Sequence, residues 1–207
     1  LLDDAKKMIE KSKNPFKTAV LISICGNLLD FGAENQMADP DGLKKAFDTV
    51  TREGLAIDDV NRLTKYLIPD TSVLFLTDNA GEIAFDTLLI EQIVKMGCNV
   101  TVMVKGEPVL NDAMREDAVK AGLDRICTIV DTEMYAVGID LSRASKKVLS
   151  YFEGADIVIA KGMANWESLS DEHPVPICYI LRAKCDPVAE SIGAKRDDNV
   201  VKLITEN

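Results

Sequence analysis

After Pro69-Asp70 the chain settles into short, unbroken apolar runs rich in β-branched residues, each followed by a stretch of helical periodicity. Ser72 to Thr77, Asn99 to Val104, Ile126 to Val130, Asp156 to Ala160 and Ile177 to Leu181 read as strands, with Val200 to Ile204 as a sixth at the edge. Helices are expected from about Ala80 to Met96, ending at Gly97, from Asp112 to Ala121, ending at Gly122, and from Leu141 to Phe152. Apolar runs without polar alternation are strands buried on both faces, which implies a mainly parallel sheet covered by helices above and below. The fold class is therefore α/β, a three-layer α/β/α domain over residues 69–207.

Residues 1–68 follow another rhythm. Leu2, Ala5 and Ile9, then Val20, Leu21, Ile24 and Leu28, recur at three- and four-residue spacing. Asp39-Pro40-Asp41-Gly42 is a turn leading into a helix near Leu43, and Ile57-Asp58-Asp59 offers a cap for another. A small all-helical N-terminal subdomain of about four helices is expected. The chain opens Leu1-Leu2-Asp3-Asp4, without Met and already in a helical pattern, so a natural start upstream of Leu1 is expected.

Charge and composition then remove function classes. The net charge of −10 over 207 residues repels polyanions and attracts divalent cations, so no nucleic-acid partner is expected. The one histidine, His173, excludes His-rich zinc sites and most His-relay nucleophile systems. Five cysteines without a Cys-x-x-Cys pair suit a reduced cytoplasm better than a disulfide framework. No apolar run reaches the ~20 residues of a membrane span.

In open parallel sheets ligands gather beyond the carboxyl ends of the strands. Those positions carry Thr77-Asp78-Asn79-Ala80-Gly81-Glu82, Lys105-Gly106-Glu107-Pro108 with Asn111-Asp112, Asp131-Thr132-Glu133, Lys161-Gly162-Met163-Ala164-Asn165, and Arg182, Lys184 and Asp186. Asp78 and Asn79 supply hard oxygen donors suited to magnesium or manganese, although either residue alone reads equally as a helix cap. Gly81 permits close backbone approach at a helix start. Asp112 is either a further ligand or a first-turn acid, and Asp117 falls on another helix face. Lys161 brings a cation to the same rim, and Asn165 either binds substrate or caps a short helix. Gly26-Asn27 and Asp30-Phe31-Gly32 interrupt an otherwise apolar helix, which places Asn27 and Asp30 as candidates to close the pocket from above.

Three segments in this order carry a resemblance: Thr77 to Ile83 with Asp86, Pro108 to Ala113 with Asp117, and Lys161 to Glu167. Together with Gly26-Asn27, Asp30-Phe31-Gly32 and Leu181 to Cys185, they resemble the signatures of the damage-control phosphatase (ARMT-like) family, formerly domain of unknown function 89. The resemblance implies a helical subdomain on a three-layer domain, and hydrolysis of phosphomonoesters of small metabolites with one divalent metal ion (manganese, nickel, cobalt or magnesium). It implies Asp78, Asn79 and Asp112 as metal ligands and Lys161 as the contact to the substrate phosphate, with Asn165, Asn27 and Gly81 beside the substrate. Glu82, Asp117 and Asp30 are expected behind these residues rather than among the ligands.

The expected mechanism is in-line attack of a metal-activated water. A phosphoaspartate route through Asp78 would want a second Asp two residues on, where Ala80 stands. The competing readings are a carboxyl methyltransferase, disfavoured because no Gly-rich loop follows the first strand, and a non-catalytic metal- or ligand-binding module. A dinucleotide oxidoreductase lacks its Gly-x-Gly-x-x-Gly turn.

Overall fold

A computed structural model describes residues 1–26, 40–171 and 176–206, apart from the side chains of residues 40, 41 and 43. Asn27, Asp30 and His173 lie outside the described residues. Helices α1 (Leu2–Lys11), α2 (Pro15–Gly26) and α3 (Pro40–Glu53) lead to a two-residue strand β1 (Ile57–Asp58) and helix α4 (Val60–Thr64). Strands β2 (Ser72–Leu76), β3 (Asn99–Val104) and β4 (Thr128–Asp131) follow, with α5 (Ile83–Lys95) and α6 (Arg115–Lys120) between them. Helix α7 (Lys146–Glu153), strand β5 (Ile157–Lys161), helix α8 (Gly162–Leu169), strand β6 (Ile177–Arg182), helix α9 (Asp186–Ile192) and strand β7 (Asn199–Ile204) complete the chain.

The strands form one sheet in the order β1-β7-β6-β5-β2-β3-β4, parallel except for the β6–β7 pair. Successive residues of β2 divide between its faces as a pleated strand requires. Val73 and Phe75 join α1 to α5 in one apolar cluster, while Leu74 and Leu76 join α7, α8 and α9 in the other. Both faces are therefore sealed by helices, and the expected three layers are present.

Two expectations change. Val200 to Ile204 is not an edge strand, because Ile57 and Asp58 pair in parallel with Val200 and Val201 outside it. Two residues are too short to show a period-2 pattern, so the region before Pro69 read as wholly helical. Among the described residues, its helices also share their core with the sheet. Ala19, Val20, Ile22 and Ile24 of α2 share one buried cluster with Phe75, Val102 and Ile159 of the sheet and with Leu88 and Leu89 of α5. Among the described residues no helix is long and apolar enough to cross a membrane.

The strand order determines where a site can form. From β2 the chain steps outward to β3 and β4, then returns to place β5 on the other side of β2. The helix after β2 lies on one face and the helix after β5 on the other, so their loops diverge and leave a crevice at the carboxyl ends of β2 and β5.

Because α2 shares its core with the sheet, the first 68 residues should not unfold by themselves. Ile24, 1% exposed, should cost about 2–5 kcal/mol when truncated to Ala. Urea unfolding followed by far-UV circular dichroism and by Trp166 fluorescence, on the opposite face, should give one coincident transition for both chains. Separate transitions would restore an independent helical unit.

Candidate metal centre

The crevice is lined by residues held there by backbone rather than by chance of side-chain pose. The segment after β2 and the segment before α6 run antiparallel through an isolated bridge between Asn79 and Asp112. The Ala113 N–H donates to the Asp78 carbonyl at 2.7 Å, and the Ala80 N–H donates to the Asn111 carbonyl at 2.8 Å. The Lys105 N–H in turn donates to the Ala113 carbonyl at 2.9 Å, which fixes this crossing to the end of β3. Asp78 and Asn79 are thereby neighbours of Asp112, 33 or more residues further along the chain.

This crossing also explains why both helices start late. The Ala80 N–H is used across the bridge, the chain turns through Gly81, and α5 begins only at Ile83. No side chain caps α5, so the capping role open to Asp78 and Asn79 is not used. At α6 the cap comes from Asp117, whose carboxylate accepts the Met114 N–H at 2.9 Å. Asp117 is thus committed to the helix start, and Asp112 stands clear of it.

Asp78 is 9% exposed and rests on Gly162. A Cβ built on Gly162 would lie 2.1 Å from the Asp78 carboxyl carbon, and the backbone there has φ +79°. Only glycine satisfies both conditions at once. Asn165, 2% exposed, spans the crevice by donating from Nδ2 to the carbonyls of Thr77 (3.1 Å) and Lys161 (2.8 Å), so it ties the ends of β2 and β5 together. Two carbonyl acceptors identify that atom as the amide nitrogen, and the buried Oδ1 on the other side has no hydrogen-bond partner among the described residues. The Asn79 amide donates to Asp78 Oδ2 at 3.0 Å.

Lys161 does not face the crevice as a loose cation. Its side chain is fully buried, with Nζ 2.7 Å from Asp86 Oδ1, 3.5 Å from the Ser23 carbonyl and 3.7 Å from Glu82 Oε1. Ser23 Oγ donates to the same Asp86 oxygen at 2.6 Å, which anchors α2 to α5 and β5. Burial alone would lower the Lys161 pKa, but the Asp86 and Glu82 carboxylates overcome it and the ammonium stays charged. Gly26 completes the contact, since a Cβ there would sit 2.7 Å from Glu82 Cβ. Glycine at position 26 thus has a packing reason.

The residue that sequence reasoning placed on the rim without a role is Lys105. It is 5% exposed, and its Nζ lies 3.4 Å from Asp112 Oδ2 and 2.5 Å from the Gly138 carbonyl. Its position directly after an apolar strand was the available signal. Lys184, exposed beyond β6, is near enough for its charge to lower the Asp78 pKa. Asp131 and Glu133 serve the scaffold instead: Asp131 pairs with Arg115, and Glu133 with Ser145 and Lys147.

Four carboxylates (Asp78, Glu82, Asp86, Asp112) and two ammonium groups (Lys105, Lys161) are thus packed together with little water. If all ionise, two negative charges remain in excess. Protons answer part of that deficit. Burial pushes Asp78 up to about 6, with the Asp112 and Asp86 charges adding to the rise and Lys161 opposing it. Burial likewise pushes Glu82 up to about 8. Burial also raises Asp112, against the pull of Lys105. Among the described residues no group of three His, Cys, Asp or Glu side chains is arranged to hold a metal. The donor set here is two carboxylates and an amide oxygen, which that pattern does not include. Hard oxygen donors, a two-charge deficit and an orphaned buried oxygen fit a divalent cation.

Comparison with known proteins bears on the family and the fold. The family model described as the damage-control phosphatase ARMT1-like domain matches residues 1–200. A damage-control phosphatase of Archaeoglobus fulgidus is 39% identical over 201 residues, covering 97% of this chain and 69% of the relative. An uncharacterized protein of Methanocaldococcus jannaschii is 44% identical over 187 residues, covering 88% of this chain and 60% of the relative. The crystal structure of a DUF89 family protein from Pyrococcus horikoshii superposes with a TM-score of 0.86 at 32% identity, covering 96% of this chain and 69% of that one. The chain thus spans 60–69% of the length of these relatives. A shared signature order, a family model matched across nearly the full length and a closely superposing fold lead to one conclusion: the chain belongs to the damage-control phosphatase ARMT1-like family.

Proposed function

We propose that this protein is a divalent-metal-dependent phosphatase that hydrolyses phosphomonoesters of small metabolites, such as sugar phosphates or damaged phospho-metabolites, to an alcohol and orthophosphate. The observation that carries the reading is the backbone crossing that makes Asp78 and Asp112 neighbours at the crevice between β2 and β5. Relatives named as damage-control phosphatases support the reaction class.

Asp78, Asp112 and the Asn79 amide oxygen would hold one manganese, nickel, cobalt or magnesium ion. Such an ion supplies Lewis-acid polarisation of a phosphoryl oxygen and neutralises charge there. The chain's own residues do the rest. Gly162 lets the Asp78 carboxylate lie against the backbone, and Asn165 keeps the two strand ends at fixed separation. Lys161 offsets the buried charge of Asp86 and Glu82 and is the largest charge holding Asp78 ionised. In this reading it prepares the ligand rather than touching the phosphate, and the solvent-facing Lys184 receives the incoming anion.

Turnover of p-nitrophenyl phosphate and a panel of sugar phosphates should be stimulated by manganese, nickel, cobalt or magnesium and abolished by a chelator. Asp78→Asn and Asp112→Asn should each lose about 100-fold or more in kcat/KM, since they remove ligands of the polarising ion. Asp117→Ala should cost about 1 kcal/mol of stability as a lost cap and leave turnover near wild type. Absence of metal-stimulated turnover in the protein with its full natural sequence would remove the phosphatase reading.

A second expectation concerns Gly162. In Gly162→Ala the new methyl displaces the Asp78 carboxylate, so isothermal titration should show Mn²⁺ binding weakened about 10- to 100-fold while the circular dichroism spectrum is retained. Unchanged Mn²⁺ affinity would place the ion elsewhere.

The third is a pH dependence. Asp78 and Glu82 bind protons more tightly folded than unfolded, where carboxyl groups titrate near 4. The stabilisation this gives is complete below about pH 4 and is lost as pH rises through about 6 and then about 8. The metal-free melting temperature should carry a component that declines across that window. Saturating Mn²⁺ should flatten the decline, and calorimetry in buffers of different ionisation enthalpy should detect protons released on binding at pH 6.5. A metal-free profile that rises from pH 5 to 8 by the same amount with and without Mn²⁺ would contradict the charge deficit.

A further inference from the structure

The two buried lysines at the crevice differ in how their donors are used. Lys161 is already flanked by two carboxylates, Asp86 at 2.7 Å and Glu82 at 3.7 Å, and by the Ser23 carbonyl at 3.5 Å. Lys105 has the Gly138 carbonyl and Asp112 Oδ2 in range among the described residues, which leaves one donor over. If Lys105 served only to fasten the Gly138 carbonyl, a neutral amide would do so without the desolvation cost of a buried charge. If it served only to pair with Asp112, it would oppose any cation sharing that carboxylate, because two positive charges a few ångströms apart repel strongly in a dry site. Both objections disappear when a third, anionic group joins them.

We propose that Lys105 is a phosphate-binding residue of the hydrolytic site, donating its remaining N–H to a phosphoryl oxygen of the substrate held beside Asp112. This rests on the metal-dependent phosphatase reading and adds to it a residue that touches substrate. Lys105 thereby disfavours the bare cation and favours cation and phosphate together, so the two bind cooperatively. The Gly138 carbonyl steers the ammonium, and the chain around it is held by the Ile139 N–H donating to Ser168 Oγ at 3.0 Å. With its position fixed in this way, Lys105 gives up little side-chain freedom when the anion arrives.

The test uses orthophosphate as the probe. Isothermal titration of orthophosphate into Mn²⁺-saturated wild type, Lys105→Met and Lys105→Arg is compared with Mn²⁺ titration in the absence of phosphate. Loss of one charge-assisted hydrogen bond should weaken orthophosphate binding about 10- to 100-fold in Lys105→Met. Mn²⁺ affinity without phosphate should be unchanged or tighter, and Lys105→Arg should recover phosphate affinity to within a few-fold of wild type. Lys105→Gln, which keeps a donor for Gly138 and drops the charge, is read in the same way if thermal melting shows that Lys105→Met does not fold. Wild-type phosphate affinity in the uncharged variant overturns the proposal. So does a tenfold loss of Mn²⁺ affinity with phosphate binding otherwise intact, which would assign Lys105 to holding Asp112. A wild type that binds Mn²⁺ yet neither binds orthophosphate nor hydrolyses a phosphomonoester overturns the phosphatase reading itself, and that outcome is distinct from the other two.

Discussion

Two backbone hydrogen bonds between the loop after β2 and the loop after β3 determine most of what this protein can do. The Ala113 N–H on the Asp78 carbonyl and the Ala80 N–H on the Asn111 carbonyl turn two loops into a short antiparallel crossing. Carboxylates on separate flexible loops would move apart under their own repulsion. Fixed to a crossing that is itself bound to the end of β3 through Lys105 and Ala113, Asp78 and Asp112 cannot. Burial, with the repulsion of Asp112 and Asp86 adding to it, instead raises the proton affinity, moving Asp78 to about 6. In the proposed reading, a divalent ion would displace those protons on binding.

The buried charge beneath the crevice has the opposite character. Lys161, Asp86 and Ser23 form a compact network that joins α2, α5 and β5. Burying such a pair seldom adds stability relative to an apolar replacement, and removing one partner leaves an uncompensated charge. Its value is positional and electrostatic: it locks the strand end that carries Gly162, and it supplies the positive charge that Asp78 feels most. The helical N-terminal layer is consequently part of the support of the candidate site. Ser23 reaches the network from α2, and Gly26 must be small for α2 to lie against Glu82.

The sheet was legible because buried parallel strands leave an unmistakable mark, five continuous apolar runs that became β2 to β6 with shifts of one or two residues. The candidate ligands were legible because a strand end is a place the topology already favours, and the observed reversal of strand order falls at β2 and β5. What stayed hidden depended on partners far along the chain. The late start of α5 and α6 follows from hydrogen bonds between loops 31 or more residues apart, which no local propensity records. Asp112 read as either a ligand or a first-turn acid because local spacing permitted both, whereas the cap is Asp117. Lys161 read as a cation at an open rim, but the last residue of a strand points to one face or the other, and here that face is sealed by α2 and α5. Lys105 directly follows β3, two strands away from β5, and was placed on the rim without a role for want of a partner visible in sequence. Strand β1 escaped notice because two residues carry no period.

The exceptions to ordinary local rules are not scattered. Leu110 and Glu133, both in the left-handed region at φ +49° and +51°, lie on the loops that follow β3 and β4 and flank Asp112 in the chain. Gly162 is left-handed under Asp78, and the orphaned Asn165 oxygen and Asp86 oxygen lie at the same end of the sheet. Each departure at a non-glycine residue costs on the order of 1–3 kcal/mol. The opposite end of the sheet carries Asp70 as its left-handed non-glycine residue, in a turn closed by ordinary backbone bonds to Gly97. Among the described residues, the buried Asp86 and Asn165 side-chain oxygens without a hydrogen-bond partner thus lie at the end of the sheet that carries the pair of carboxylates. That distribution is what a pre-formed site requires, because the groups that complete it must come from outside the polypeptide.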